Sequence, residues 1–142
     1  MSDLNLSQRA VACRAWRWMR GMLATWPDKV PYPGADQWRY AGDGLWVDSH
    51  GDAAHEDDMP ASLALAMVAG PDLDDPATLG CLLALVREAW GDPRAVTVSY
   101  DENDWYAMTC DRDGMVCWDG EKTAGRGPTE AAALVAALEN AP

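Results

Sequence analysis

The sequence predicts an α+β fold in the order α-ββ-α-α-βββ-α, an antiparallel sheet with helices packed on it. Three observations carry this reading. Apolar residues recur at helical spacing in Leu79, Leu82, Leu83, Val86 and Trp90, then switch to alternation in Val96, Val98 and Tyr100. The turn sequences Gly42-Asp43-Gly44 and Asp113-Gly114 each separate two short apolar runs, as hairpins require. Asp75-Pro76 before and Gly91 after the central helical run are start and stop signals. At 142 residues the chain suits one domain, 1–142, large enough to bury a core without disulfides or metal.

Taken in order, Ser7 is placed to cap a helix running to about Trp26, with Val11, Ala15, Trp18, Met22 and Trp26 as its apolar stripe. Arg9, Arg14, Arg17 and Arg20 fall on its opposite side, and Pro27 stops it. Trp38–Tyr40 and Leu45–Val47 form the first hairpin, and the polar stretch Asp48–Asp58 reads as a loop. Pro60 and Gly70-Pro71 bracket a short helix over Ala61–Ala69. The helix from Pro76 follows, then a strand over Ala95–Tyr100. Trp105–Cys110 and Met115–Trp118 flank the second hairpin turn, and Pro128 opens a last helix with Ala131, Leu134, Val135 and Leu138 inward.

This order can be read as a degenerate repeat, the alternative being that helices and hairpins alternate by chance, as in other small α+β folds. Residues 7–70 and 75–142 each read as helix, hairpin, helix, with Trp26-Pro27-Asp28 answering Trp90-Gly91-Asp92 and Gly42-Asp43-Gly44 answering Arg112-Asp113-Gly114. The expectation is two halves that pair into one sheet.

The formal charge of −12 is unevenly spread. Residues 1–39 carry six basic and three acidic side chains, whereas 40–142 carry five basic and twenty acidic. Within 40–80 there are nine acidic residues and no Lys or Arg. Such a balance opposes direct nucleic-acid binding, which needs a basic footprint. The βββα order from Val96 to Leu138 is similar to that of double-stranded-RNA-binding domains, but Pro128-Thr129-Glu130-Ala131-Ala132 lacks the lysines that would hold phosphates. No apolar run reaches the roughly 18 residues of a membrane span, and no charged leader precedes an apolar run. Four cysteines without CxxC spacing fit a reducing compartment, and the expected location is the cytoplasm.

Catalytic chemistry finds little support. His50 and His55 lie among Asp52, Glu56, Asp57 and Asp58, the one constellation with metal-ligating residue types. Their five-residue step does not place both imidazoles on one helical face, and zinc motifs are more tightly paired, so no metal or cofactor is expected. Across the predicted Asp113-Gly114 turn Cys110 faces Cys117, more simply as small buried residues than as a redox pair. Gly125-Arg126-Gly127 reads as a turn whose amides could meet an anion. The chain does not read as an enzyme.

Two features point to binding instead. Eight Trp, four Tyr and no Phe favour side chains with a large apolar face and a polar handle. Trp38, Trp46, Trp105 and Trp118 lie on hairpins, where one sheet face is expected to be open to a partner. The acidic stretch supplies the second feature: Asp52, Glu56, Asp57, Asp58, Asp72, Asp74 and Asp75 could imitate phosphate spacing and occupy a basic channel. The alternative is that the arginine face of the first helix neutralises this stretch internally.

Two segments, Asp72–Pro93 and Gly127–Pro142, resemble small uncharacterised proteins encoded by bacteriophages and prophages, and together cover 38 of the 142 residues. The overall alternation is also similar to the phage α-β-α sandwich domain. The resemblance implies a phage accessory protein that acts on its host and carries no catalytic residues. Combined with the charge, the expected function is binding and inhibition of a host protein with a basic surface, such as a CRISPR-type defence complex. A virion structural or assembly protein, with a homodimer or larger oligomer, is the alternative, and a metal-dependent enzyme ranks last.

Overall fold

A computed structural model describes residues 5–25, 37–109 and 123–142. Among these residues the protein is α+β, with four helices and two separate three-stranded antiparallel sheets. The element order is α1 (Leu6–Val11), β1 (Arg39–Gly42), β2 (Leu45–Val47), β3 (Ala53–His55), a 3-10 turn (Glu56–Asp58), α2 (Ala61–Ala69), α3 (Pro76–Trp90), β4 (Val96–Asp101), β5 (Asp104–Met108), β6 (Thr123–Gly127) and α4 (Glu130–Glu139). The chain forms two compact units. One holds Met1–Val11 and Trp18–Cys81, the other Ala12–Arg17 and Leu82–Pro142. Contrary to the expectation of one sheet, the described strands form two. The orders are β1-β2-β3 and β4-β5-β6.

In the first unit the predicted long helix is only α1. It is capped by Asn5, whose Oδ1 accepts from Gln8 N at 2.9 Å, rather than by Ser7, whose hydroxyl donates to Pro71 O at 2.7 Å. The helix ends at Val11, and Gly21 farther on has a positive φ of 103°, outside the helical range. The next residues run extended. Tyr40 N donates to Met22 O, Ala24 N to Trp38 O, and Asp72 N to Leu23 O. Met22, Leu23 and Ala24 are buried in succession, a pattern that suits a segment enclosed on both sides and not a one-faced helix.

The first hairpin forms as predicted, with Asp43 (φ 55°) and Gly44 (φ 78°) as its two left-handed turn residues. The loop expected over Asp48–Asp58 contains a third strand. Buried Asp48 accepts from His50 N and Asp52 N through one carboxylate oxygen at 2.9 and 2.8 Å, which folds the chain back and lays Ala53–His55 along β2. Asp48→Ala is expected to cost about 1–2 kcal/mol, checked by urea denaturation, because two turn amides lose a charged acceptor. Register puts Tyr40, Trp46 and Ala54 on one sheet face. There they join Trp18, Ala24, Trp38, Leu63, Ala66 and Met67 in a core centred on Trp46. Trp18 meets Trp46 edge-on at 4.9 Å.

α3 runs over the predicted residues and passes from the first unit into the second after Cys81. It ends in a Schellman cap, with Gly91 N donating to Glu88 O, Asp92 N to Arg87 O, and Gly91 at φ 64°. The second predicted hairpin turn at Asp113-Gly114, the strand Met115–Trp118, the Cys110–Cys117 pairing and Trp118 lie outside the described residues, as do Trp26 and Pro27. The third strand is β6, over the segment read from sequence as a glycine turn. Registers Thr97↔Ala107↔Gly125 and Ser99↔Trp105↔Gly127 give this sheet a face of small and polar residues around Trp105. α4 lies on that face. A Cβ at Gly125 would strike the backbone of Ala133 and Ala137, so only glycine permits the approach. Thr129 caps α4 by accepting from Ala132 N at 3.1 Å, with Pro128 one residue outside. Trp90 donates its indole N–H to Ala137 O at 2.8 Å. No helix among the described residues is long and apolar enough to cross a membrane.

Candidate functional site

The acidic residues of the first unit separate into two groups by their partners. Asp75 is structural. Its carboxylate accepts from both terminal nitrogens of Arg39 at 3.0 and 3.1 Å, and from the N–H and hydroxyl of Thr78 at 3.0 and 2.8 Å. The side chain is only 14% exposed. Thr78 is fully buried and accepts in turn from Leu23 N at 2.9 Å, while Arg39 also donates to Gly21 O. The Arg39 guanidinium holds the Asp75 carboxyl below its ordinary value, assisted by the two Thr78 donors. One arginine of the basic N-terminal segment thus neutralises one member of the acidic stretch.

Asp52, Asp57, Asp58 and Asp74 are exposed. Glu56 is half-buried and accepts from the Trp46 indole at 3.4 Å; Asp72 is half-buried and accepts from Asp74 N at 3.0 Å. Asp57 and Asp58 precede the N-terminus of α2, and Asp72 and Asp74 precede that of α3. The positive ends of the helix dipoles offset part of the repulsion among these carboxylates, so the fold tolerates them in the open. Arg17, exposed on the predicted basic face, pairs instead with Glu88 at 2.6 Å within the second unit.

His55 closes the acidic turn. Its Nδ1 accepts from Asp57 N at 3.2 Å, which leaves Nε2 to donate to Asp43 O at 3.2 Å. Both ring nitrogens are engaged, and the His50 amide is tied to Asp48. Among the described residues no group of three His, Cys, Asp or Glu side chains is arranged to hold a metal ion. A cleft of about 470 Å³ lies between Trp38, the strand Ala53–His55 and the segment Asp58–Pro60 at the start of α2.

The aromatic candidates are placed differently from the open sheet face expected of them. Trp38 is 6% exposed and donates to Ser62 Oγ at 3.4 Å, and Trp46 is fully buried. Both complete the core beneath α2. Trp105 is half-buried on the face that α4 covers, because its register partner is Gly127. The opposite face of that sheet carries Arg126 instead. It pairs with Asp104 at 2.9 Å and lies over the Tyr106 ring at 5.1 Å, so the predicted anion turn is a strand whose arginine is already engaged.

Sequence reasoning missed an apolar surface on α2. The helix reads ASLALAMVA, eight apolar residues of nine, yet only Leu63 and Ala66 are fully buried. Leu65 is 54% and Val68 74% exposed, and Ala61 and Met59 are exposed beside them. The sequence signal was available: a helix with no charged residue cannot present a polar face to water. Compared with known proteins, the chain matches no protein-family model, no curated protein and no solved structure.

Proposed function

We propose that this chain is a phage accessory protein that binds and inhibits a host protein, its carboxylates occupying a basic surface that otherwise handles nucleic acid. The observation that carries the reading is the open acid of the first unit. Asp52, Asp57, Asp58 and Asp74 face solvent in a stretch, residues 40–80, that contains no Lys or Arg. Arg39 answers Asp75 and leaves these four exposed. Like-charged surfaces of this kind steer encounter with a cationic partner and lose their pull as salt rises. A defence complex with a basic nucleic-acid channel, of the CRISPR type, presents that chemistry.

The immobilised protein is expected to retain a host partner at low salt and release it at high salt. Replacing Asp52, Asp57, Asp58 and Asp74 together by Asn should weaken that capture by about tenfold or more. Failure to find any salt-sensitive partner would overturn the reading, and co-purification with virions as a defined homo-oligomer would replace it with an assembly role.

A further inference from the structure

We infer that the outer face of α2 is a docking surface for an amphipathic segment of a basic partner, one that lays an apolar stripe on Leu65 and Val68 and sets Lys or Arg side chains beside it. This deepens the proposed acidic interface and rests on it for the sign of the partner's charge. Leu63, Ala66 and Met67 turn toward Trp46 and the first core, while Ala61, Leu65 and Val68 follow one another at helical spacing on the opposite side. Isolated exposed apolar residues are ordinary; a continuous face on a helix without one charge is not. Met59 and Pro60 extend the stripe at its N-terminal end into the cleft walled by Trp38, His55 and Asp58.

The rim identifies the occupant. Asp58 lines the cleft at the N-terminal end of the face together with Met59 and Pro60, Asp57 precedes it and Asp72 and Asp74 follow α2 in sequence, and α2 itself supplies no cation. A second copy of the chain laid on the same face would bring acid against acid, and an anionic lipid surface meets the same repulsion. A helix with leucine-like anchors along one side and basic residues flanking them satisfies both the apolar face and its rim.

The test uses the intact protein and a synthetic amphipathic peptide with leucines along one helical face and lysines elsewhere. A peptide of the same composition with the leucines scattered serves as control. Titrations followed by amide NMR are expected to show the striped peptide binding at least about tenfold more tightly than the scattered one. Shifts should centre on residues 61–69. The double variant Leu65→Ser, Val68→Ser should abolish that preference while melting as the parent does, since both side chains already contact water. Equal binding of the two peptides, or a preference that survives the double variant, overturns the proposal. So does a concentration-dependent dimer that the double variant dissolves, which would make the occupant a second copy. A salt-sensitive host partner retained undiminished by the double variant overturns the docking face and leaves the acidic interface standing. A stripe preference found without any salt-sensitive partner does the reverse.

Discussion

Asp75→Ala is expected to destabilise the protein by about 2–4 kcal/mol, read as a fall in the urea midpoint at unchanged slope. The substitution removes an acceptor that serves four donors at once, two on Arg39 and two on Thr78. It also removes the N-terminal cap of α3, since Thr78 N is a first-turn amide. Arg39 is 42% exposed, so water takes up part of its charge, and the cost stays below that of a fully buried pair broken on one side. Thr78→Val should cost less, because only the hydroxyl is lost and Leu23 N is left without its acceptor. The pH dependence has a definite sign. Arg39 lowers the Asp75 carboxyl below its ordinary 3.8, so the folded state binds its proton less readily than the unfolded chain. The contribution is fully present above the unfolded value and is lost as pH falls through the depressed folded one. In Asp75→Ala this part of the acid sensitivity should be missing.

Gly125→Ala is expected to cost about 3 kcal/mol or more, or to prevent folding of the second unit. The added methyl would meet backbone atoms of Ala133 and Ala137, not a side chain that can swing away. Relief requires α4 to lift from β6, which would loosen the layer that buries Leu134, Val135 and Leu138. The same substitution at Gly80 supplies the contrast. Gly80 is exposed within α3 and a methyl there meets no atom within 4 Å, so Gly80→Ala should stabilise by about 1 kcal/mol through helix propensity. Thermal melts of the two variants, moving in opposite directions, separate packing from backbone entropy.

These two glycines also mark where the sequence was legible. α2, α3 and the first hairpin were readable because their boundaries are written in local chemistry: Pro60 and Gly70, Asp75 and Gly91, Asp43-Gly44. β3 and β6 were not, since Ala53-Ala54 and Gly125-Arg126-Gly127 have poor strand propensity and pair only because β2 and β5 offer a ladder. The apolar spacing of Val11, Ala15, Trp18 and Met22 imitated a helix, and the hydrogen bonds that draw Met22–Ala24 into an extended run come from Trp38, Tyr40 and Asp72, far along the chain. The acidic stretch was visible from composition alone. That Asp75 belongs to the framework and Asp57 to the surface depends on Arg39, whose position beside Asp75 is a tertiary fact. Trp38 and Trp46 failed as surface anchors for a similar reason: hairpin residues alternate between faces, and only the packing of α2 decides which face is dry.

Among the described residues the ladders β1-β2, β2-β3 and β4-β5 each close over a loop of two to five residues. The pairing of Ala24 with Pro71 is different, for it spans most of the first unit, and the Ser7 hydroxyl donates to the Pro71 carbonyl across 64 residues. Local ladders pay little loop-closure entropy and assemble early, whereas a contact of that span must wait until the intervening hairpin and helix exist. Refolding of the first unit should therefore finish at Pro71, and substitutions there should act mainly on the rate at which the native state opens.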